Sequence, residues 1–164
     1  QNFIGIPSPV ISRSAWLDAG GMDTDLWYTA DWDLYLKLAA KGKFVYLPQS
    51  TAAFRIHGQS QTILGSRDPK DFRNQLDIVI ERYVPRVKTA RRSRTLRLAN
   101  ASATINTALA SGLNGGKGAL PAMLFAIMAA FIRLLPMNIF RYFRYSRIIE
   151  RVLPRLRALR NGAI

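Results

Sequence analysis

The sequence predicts an α/β fold for residues 1–65, followed by a basic α-helical tail over residues 66–164. Three observations lead to this division. Short β-branched runs bounded by Pro and Gly surround one helical pattern in the first part, and helical periodicity dominates the second part. Charge changes as well, because residues 1–80 hold 8 basic and 8 acidic side chains, whereas residues 81–164 hold 16 and 2. The whole excess of +14 therefore lies in the second half of the chain.

Composition excludes several classes of protein. With 164 residues, 49% of them hydrophobic and 21% charged, the chain has the make-up of about one globular domain and not of a disordered polymer. It contains no cysteine, which excludes disulfides, thiol catalysis and cysteine-based zinc sites. The chain begins at Gln1 without a recognisable signal peptide. We expect it to be a processed chain or a fragment.

The elements predicted in the first part follow one another at short spacing. The apolar run 3–13, interrupted by two prolines, predicts the end of a strand. Ser14 is predicted to cap a short helix that stops at the glycines 20–21, and an acidic, aromatic loop follows. Residues 31–42 have helical spacing, acids in the first turn and a terminal glycine. Two further strands are predicted after this helix, at 43–48 and 51–58.

The second part predicts only helices. Residues 72–84 place apolar side chains on one face and end before Pro85. An arginine-rich helix over 89–111 is followed by a glycine-rich break and then by a helix that is apolar on nearly all sides. Residues 118–132 carry no charge, but this stretch of 15 is shorter than the roughly 20 residues that a membrane-spanning helix needs. We therefore predict no transmembrane span.

A final helix over about 137–153 carries a basic face. Its arginines fall on an arc of about 120° and tyrosines and aliphatic side chains lie opposite, a pattern typical of a helix lying in a membrane interface. The alternatives are a solvated basic surface or a helix that packs its apolar face on the domain. The arginines predicted to contact the membrane are Arg141, Arg144, Arg147, Arg151 and Arg155.

Two side chains in the first part are candidates for chemistry. Asp31 begins a helix, where the dipole favours its charged form, and a carboxylate within hydrogen-bond reach of a hydroxyl can act as a general base. The single histidine, His57, lies 26 residues later, and one strand–helix–strand unit can bring the two together. A simple helix cap is the alternative role for Asp31 and Asp33. His57 can donate to a backbone carbonyl, coordinate a metal or contact a phosphate.

The ordered motifs between residues 2 and 62 resemble the second half of the catalytic domain of family 2 glycosyltransferases, which has the GT-A nucleotide-sugar transferase fold. The motifs are Gly-Gly-Met-Asp at 20–23, Ala-Asp-Trp-Asp at 30–33 and Arg-x-His at 55–57. The resemblance implies that Asp31 is the catalytic base. It also implies that Arg55 binds substrate and that His57 helps to hold the metal–diphosphate.

The same resemblance implies what the chain lacks. The nucleotide-binding half with its own Asp-x-Asp motif is absent, so we expect a C-terminal fragment that is inactive in isolation. A divalent metal, Mg²⁺ or Mn²⁺, would be shared with that missing half. Family members often carry Glu where this chain has Ala30, and the Gln-x-x-Arg-Trp motif of processive synthases is absent, which favours transfer of a single sugar.

The function expected from the resemblance is inverting transfer of a sugar from a nucleotide-sugar to an acceptor hydroxyl, on a lipid-linked or cell-envelope glycan. Docked by its basic tail, the protein would lie on the cytoplasmic face of the membrane. The alternatives are a catalytically dead fragment and a non-catalytic module that binds membrane or nucleic acid, although no nucleic-acid-binding signature is recognised and no nucleic-acid partner is expected. Residues expected to contact substrate, or for the aromatic ones to fill the core instead, are Trp27, Tyr28, Trp32 and Asp33.

Overall fold

The computed structural model describes residues 8–49, 52–53, 68–114, 119–135 and 138–146, together with Ile4, Ile148, Leu153 and Arg157. These residues form six α-helices and no β-strand, so the predicted α/β fold, with the second half of a GT-A domain, is wrong for the described chain. Two compact units divide the chain, residues 2–55 and 56–164, while the predicted division at residues 65 and 66 lies outside the described residues. The helices are α1 (Arg13–Asp18), α2 (Ala30–Lys41), α3 (Pro69–Tyr83), α4 (Thr89–Asn114), α5 (Ala119–Leu134) and α6 (Asn138–Ser146), with a 3-10 turn at Val84–Arg86.

The predicted strands are replaced by irregular chain wherever they are described. Residues 9–12 and 43–48 have no regular structure, and α1 takes up the end of the first predicted strand. Val45 and Tyr46 are each 85% exposed. A strand needs a partner strand for its backbone N–H and C=O groups, and the described part of this unit offers residues 43–48 no such strand. Of the third predicted strand only Ala52 and Ala53 are described.

Helix α1 begins and ends on local hydrogen bonds and glycines. Its N-cap is Ser12 and not the predicted Ser14, because the Ser12 hydroxyl accepts the Ala15 N–H at 3.1 Å. The predicted stop is confirmed, with both Gly20 (φ +78°) and Gly21 (φ +67°) in the left-handed region. A Cβ at Gly21 would also lie 3.1 Å from Nε1 of Trp16. This turn therefore needs glycine for both conformation and space.

Helix α2 confirms the helix predicted for this part of the sequence. Leu34 and Tyr35 are buried, and the ring of Phe44 meets the ring of Tyr35 edge-on at 6.5 Å between centroids. Two lysines connect α2 with the segment before it: Lys37 Nζ donates to the Gly21 carbonyl at 3.5 Å, and Lys41 Nζ donates to the Asp18 carbonyl. The acidic first turn of α2 is thus fixed at a defined place in the first unit.

The second unit is built from α3, α4, α5 and α6, and the helices predicted before residue 135 are confirmed. The final helix, predicted over about 137–153, is described as α6 over Asn138–Ser146. The Asp68 carboxylate caps α3, and Arg73 joins α3 to α4 by donating to the Thr104 hydroxyl at 3.0 Å. Helices α4 and α5 approach closely at Gly112, where a Cβ would lie 2.1 Å from the Met123 sulfur. The main core combines α4, α5 and α6 through Ala101, Ile105, Ala130, Leu134 and Tyr142.

Candidate functional site

The predicted base, Asp31, lies in the first turn of α2. Its side chain is half-buried, and Oδ1 accepts the backbone N–H of Trp32 at 2.7 Å. The first amides of a helix lack partners within the helix, so this bond helps to satisfy one of them. The N-cap residue Thr29 makes no side-chain capping bond. Asp31 therefore has a structural role as well as a position suited to a charged carboxylate.

Asp33 has a different environment from Asp31, although only one residue separates them. Its side chain is fully buried, and Oδ2 forms an ion pair with Lys37 Nζ at 2.7 Å. Residues four apart lie on the same face of a helix, so the pair is local to α2. In this placement the Asp33 carboxylate is not accessible to a bound sugar, and the predicted substrate contact gains no support.

Tyr35 is the side chain at this site that sequence reasoning missed. It is 5% exposed, and its hydroxyl has no hydrogen-bond partner within the described part of the chain. Burial raises the pKa of the Tyr35 phenol, and the negative charge of Asp31 raises it further. The i, i+4 spacing of Asp31 and Tyr35 on one helix is the sequence signal that points to this neighbour.

The raised pKa gives a testable titration. The folded protein holds the Tyr35 proton more tightly than the unfolded chain does. This difference stabilises the fold below about pH 10, and the contribution is lost as the pH rises through the raised pKa. In a spectrophotometric tyrosinate titration, we expect Tyr35→Phe to remove a late-ionising phenol. Asp31→Asn should lower the pKa of Tyr35 by removing the neighbouring charge. The control variant Tyr46→Phe should keep the late-ionising phenol. If that phenol disappears in Tyr46→Phe, its assignment to Tyr35 is contradicted.

The aromatic side chains before and within the first turn of α2 form a partly exposed group. Trp27, Tyr28 and Trp32 are all half-buried. The rings of Trp27 and Tyr28 lie 5.5 Å apart at 54°. Each ring thus combines core packing with an accessible surface, so both uses that the sequence left open are compatible with this structure.

The remaining predicted residues of the site, Arg55 and His57, lie outside the described residues. Their predicted proximity to Asp31 stays a prediction. Among the described residues no group of three His, Asp or Glu side chains is arranged to hold a metal ion. Asp33 is also engaged with Lys37. The divalent metal that the resemblance implies was placed on His57, so it stays a prediction.

The predicted membrane helix is only partly exposed. In α6, Arg144 is exposed but Arg141 is half-buried, and Tyr142 is 3% exposed and packs in the core with α4 and α5. The face of α6 that carries the tyrosines thus packs in part on its own unit. Such packing is the alternative that the sequence left open beside membrane contact. The other predicted membrane arginines, Arg147, Arg151 and Arg155, lie outside the described residues.

None of the described helices is, on its own, long and apolar enough to cross a membrane, although α5 and α6 together reach that length and composition as a pair bent by 119°.

Comparisons with protein-family models, with curated proteins and with solved structures find no match to this chain.

Proposed function

We propose that the protein carrying this chain transfers a sugar from a nucleotide-sugar to an acceptor hydroxyl with inversion, and that Asp31 is its general base. The observation that carries the proposal is the position of Asp31: a half-buried carboxylate in the first turn of a twelve-residue helix, next to the half-buried ring of Trp32. The helix dipole stabilises the charged form that a base needs. The resemblance of the motifs at 20–23 and 30–33 supplies the reaction class.

In the proposed step, each bond that forms is matched by a bond that breaks. The carboxylate of Asp31 takes the proton of the acceptor hydroxyl while the hydroxyl oxygen forms a bond to the anomeric carbon. The bond from that carbon to the diphosphate oxygen breaks on the opposite face, and its electron pair leaves with the diphosphate. Attack from the face opposite the leaving group inverts the anomeric centre. A divalent metal held in part by His57 would offset the charge of the departing diphosphate, and His57 lies outside the described residues.

The surroundings of Asp31 suit this role. The amide of Trp32 holds one carboxylate oxygen at 2.7 Å and so limits the orientations of the base. The partly exposed rings of Trp27 and Tyr28 offer flat apolar surfaces of the kind that stack on sugars. We assign recognition of the nucleotide to parts of the protein other than the described residues. The acceptor is a glycan or a lipid-linked sugar.

The stereochemistry of the product tests the proposed reaction. The full-length protein that contains this sequence is incubated with a panel of nucleotide-sugars and a lipid-linked acceptor, and the anomeric configuration of the product is read by NMR. We expect the configuration to be opposite to that of the donor. A product that retains the donor configuration would contradict a single displacement with Asp31 as its base.

A non-catalytic basic module is the second candidate function. It is favoured by the exposed arginines at the start of α4, where Arg91, Arg92 and Arg97 stand on a helix without any acidic residue. Such a surface suits phosphate groups of lipids or nucleic acids. This candidate predicts that no nucleotide-sugar in the panel is consumed, whereas the transferase proposal requires turnover of at least one.

A further inference from the structure

We propose that the outward face of α5 is a docking surface for an anionic lipid membrane. This inference does not rest on the proposed transfer reaction, because it uses only residues of the second unit. The sequence suggested the final helix for such a role, but α6 buries Tyr142 in the core. The surface that remains uncovered lies on the helix before it.

Helix α5 has two apolar faces: one packs on α4, and the other is exposed except at Phe131, whose ring contacts α6. Ala130 and Leu134 are 2% and 0% exposed and lie against Ala101 and Ile105 of α4. At 100° per residue, the other face spans an arc of about 140°. It consists of Leu120, Leu124, Phe125, Met128 and Ile132, with Leu135 directly after the helix, and each of these is between 53% and 76% exposed.

A contiguous exposed apolar face of this kind marks an interaction site. Five of its six side chains follow one another within three and a half turns of one helix, and no polar residue interrupts the arc. The exposed ring of Phe143 on α6 extends it, because it stacks on Phe131 of α5 with centroids 5.5 Å apart and planes at 15°. Helix α6 thereby adds aromatic surface to the face of α5.

The charge of the side chains on α4, α5 and α6 indicates which partner this face binds. No acidic residue occurs between Arg82 and Ile149, so all of α4, α5 and α6 is free of negative side chains. Arg133 lies on α5 about 80° beyond the edge of the apolar arc, and the exposed Arg144 lies on α6. An apolar face on helices that carry arginines and no acidic side chain fits a bilayer, where the acyl chains cover the apolar face and the anionic headgroups attract the arginines.

The same charge disfavours the other occupants. A second copy of the chain would bring another net charge of +14 toward the same face, and like charges repel. A nucleic acid would meet the arginines, but its phosphates gain nothing from covering the apolar arc of Leu124 and Met128. A lipid surface satisfies both features together.

Sedimentation with vesicles tests the proposal on the full chain. We expect strong binding to vesicles of phosphatidylcholine mixed with phosphatidylglycerol, weak binding to phosphatidylcholine alone, and weaker binding as salt increases. The double variant Leu124→Gln and Met128→Gln should bind at least about tenfold more weakly, because each loses apolar area that would enter the membrane. Leu96→Gln, an exposed leucine of α4, is the matched control and should bind as the parent does.

A second variant tests the arginines separately from the apolar side chains. Arg133→Gln with Arg144→Gln should weaken binding by about fivefold for each arginine, and only on anionic vesicles. Circular dichroism confirms that each variant is folded. Undiminished binding of the leucine–methionine variant would overturn the proposal. Equal binding to both kinds of vesicle would also overturn it. The same holds if the protein self-associates and the Leu124→Gln and Met128→Gln changes disperse the oligomer, or if it binds an RNA oligonucleotide and these changes weaken that binding.

Discussion

Replacing Lys37 with Met should lower the free energy of unfolding by about 3 kcal/mol, the lower end of the range for breaking a buried ion pair. In this pair the fully buried carboxylate of Asp33 lies 2.7 Å from the ammonium group of Lys37, and the Lys37 side chain is 27% exposed. Loss of the lysine leaves a buried charge without its partner, and that desolvation cost dominates. We expect a loss at the lower end of that range because the Lys37 side chain keeps some contact with water.

A double-mutant cycle separates the ion pair from other effects of the lysine. Asp33→Asn removes the charge at nearly constant shape, so adding Lys37→Met to it should cost much less than Lys37→Met costs alone. Lys43→Met, an exposed lysine beyond the end of α2, is the control and should change stability by less than about 0.5 kcal/mol. Chemical denaturation measures each value. Equal losses for Lys37→Met and Lys43→Met would show that the pair contributes nothing.

The helices could be predicted from the sequence because their signals are local. Gly42 ends α2, Asp68 caps α3, and the apolar spacing of residues 72–84 places Phe72 and Val79 inside. The strands could not be predicted in the same way. The aromatic and β-branched side chains of Phe44, Val45 and Tyr46 are compatible with a strand, but a strand forms only with a partner, which no local pattern specifies.

The candidate site was predicted in part. The position of Asp31 in the first turn of a helix follows from its place before an apolar repeat. The burial of Asp33 could not be read from the sequence, because an acid in a first turn is usually exposed and its partner Lys37 also fits a solvated surface. The face of α5 that α4 covers depends on the close approach at Gly112. An all-round apolar helix gives no indication of which face will be covered.

The largest effect on activity is expected from Asp31→Asn. An amide has nearly the shape of a carboxylate but cannot take a proton, so the variant removes the proposed base and leaves the helix in place. General base catalysis contributes about 10²–10⁴-fold, and we expect the rate of transfer to fall by about 10³-fold. The matched control is Asp25→Asn, an exposed carboxylate in the loop before α2, which should retain the parental rate.

The central claim is that Asp31 removes the proton of the acceptor hydroxyl. Its most direct test is the single-turnover rate of sugar transfer by full-length Asp31→Asn beside the parent and Asp25→Asn, at saturating donor and acceptor, with folding checked by circular dichroism. The account predicts a folded Asp31→Asn protein that binds acceptor and transfers about 10³-fold more slowly. A folded variant whose rate stays within about threefold of the parent would contradict it.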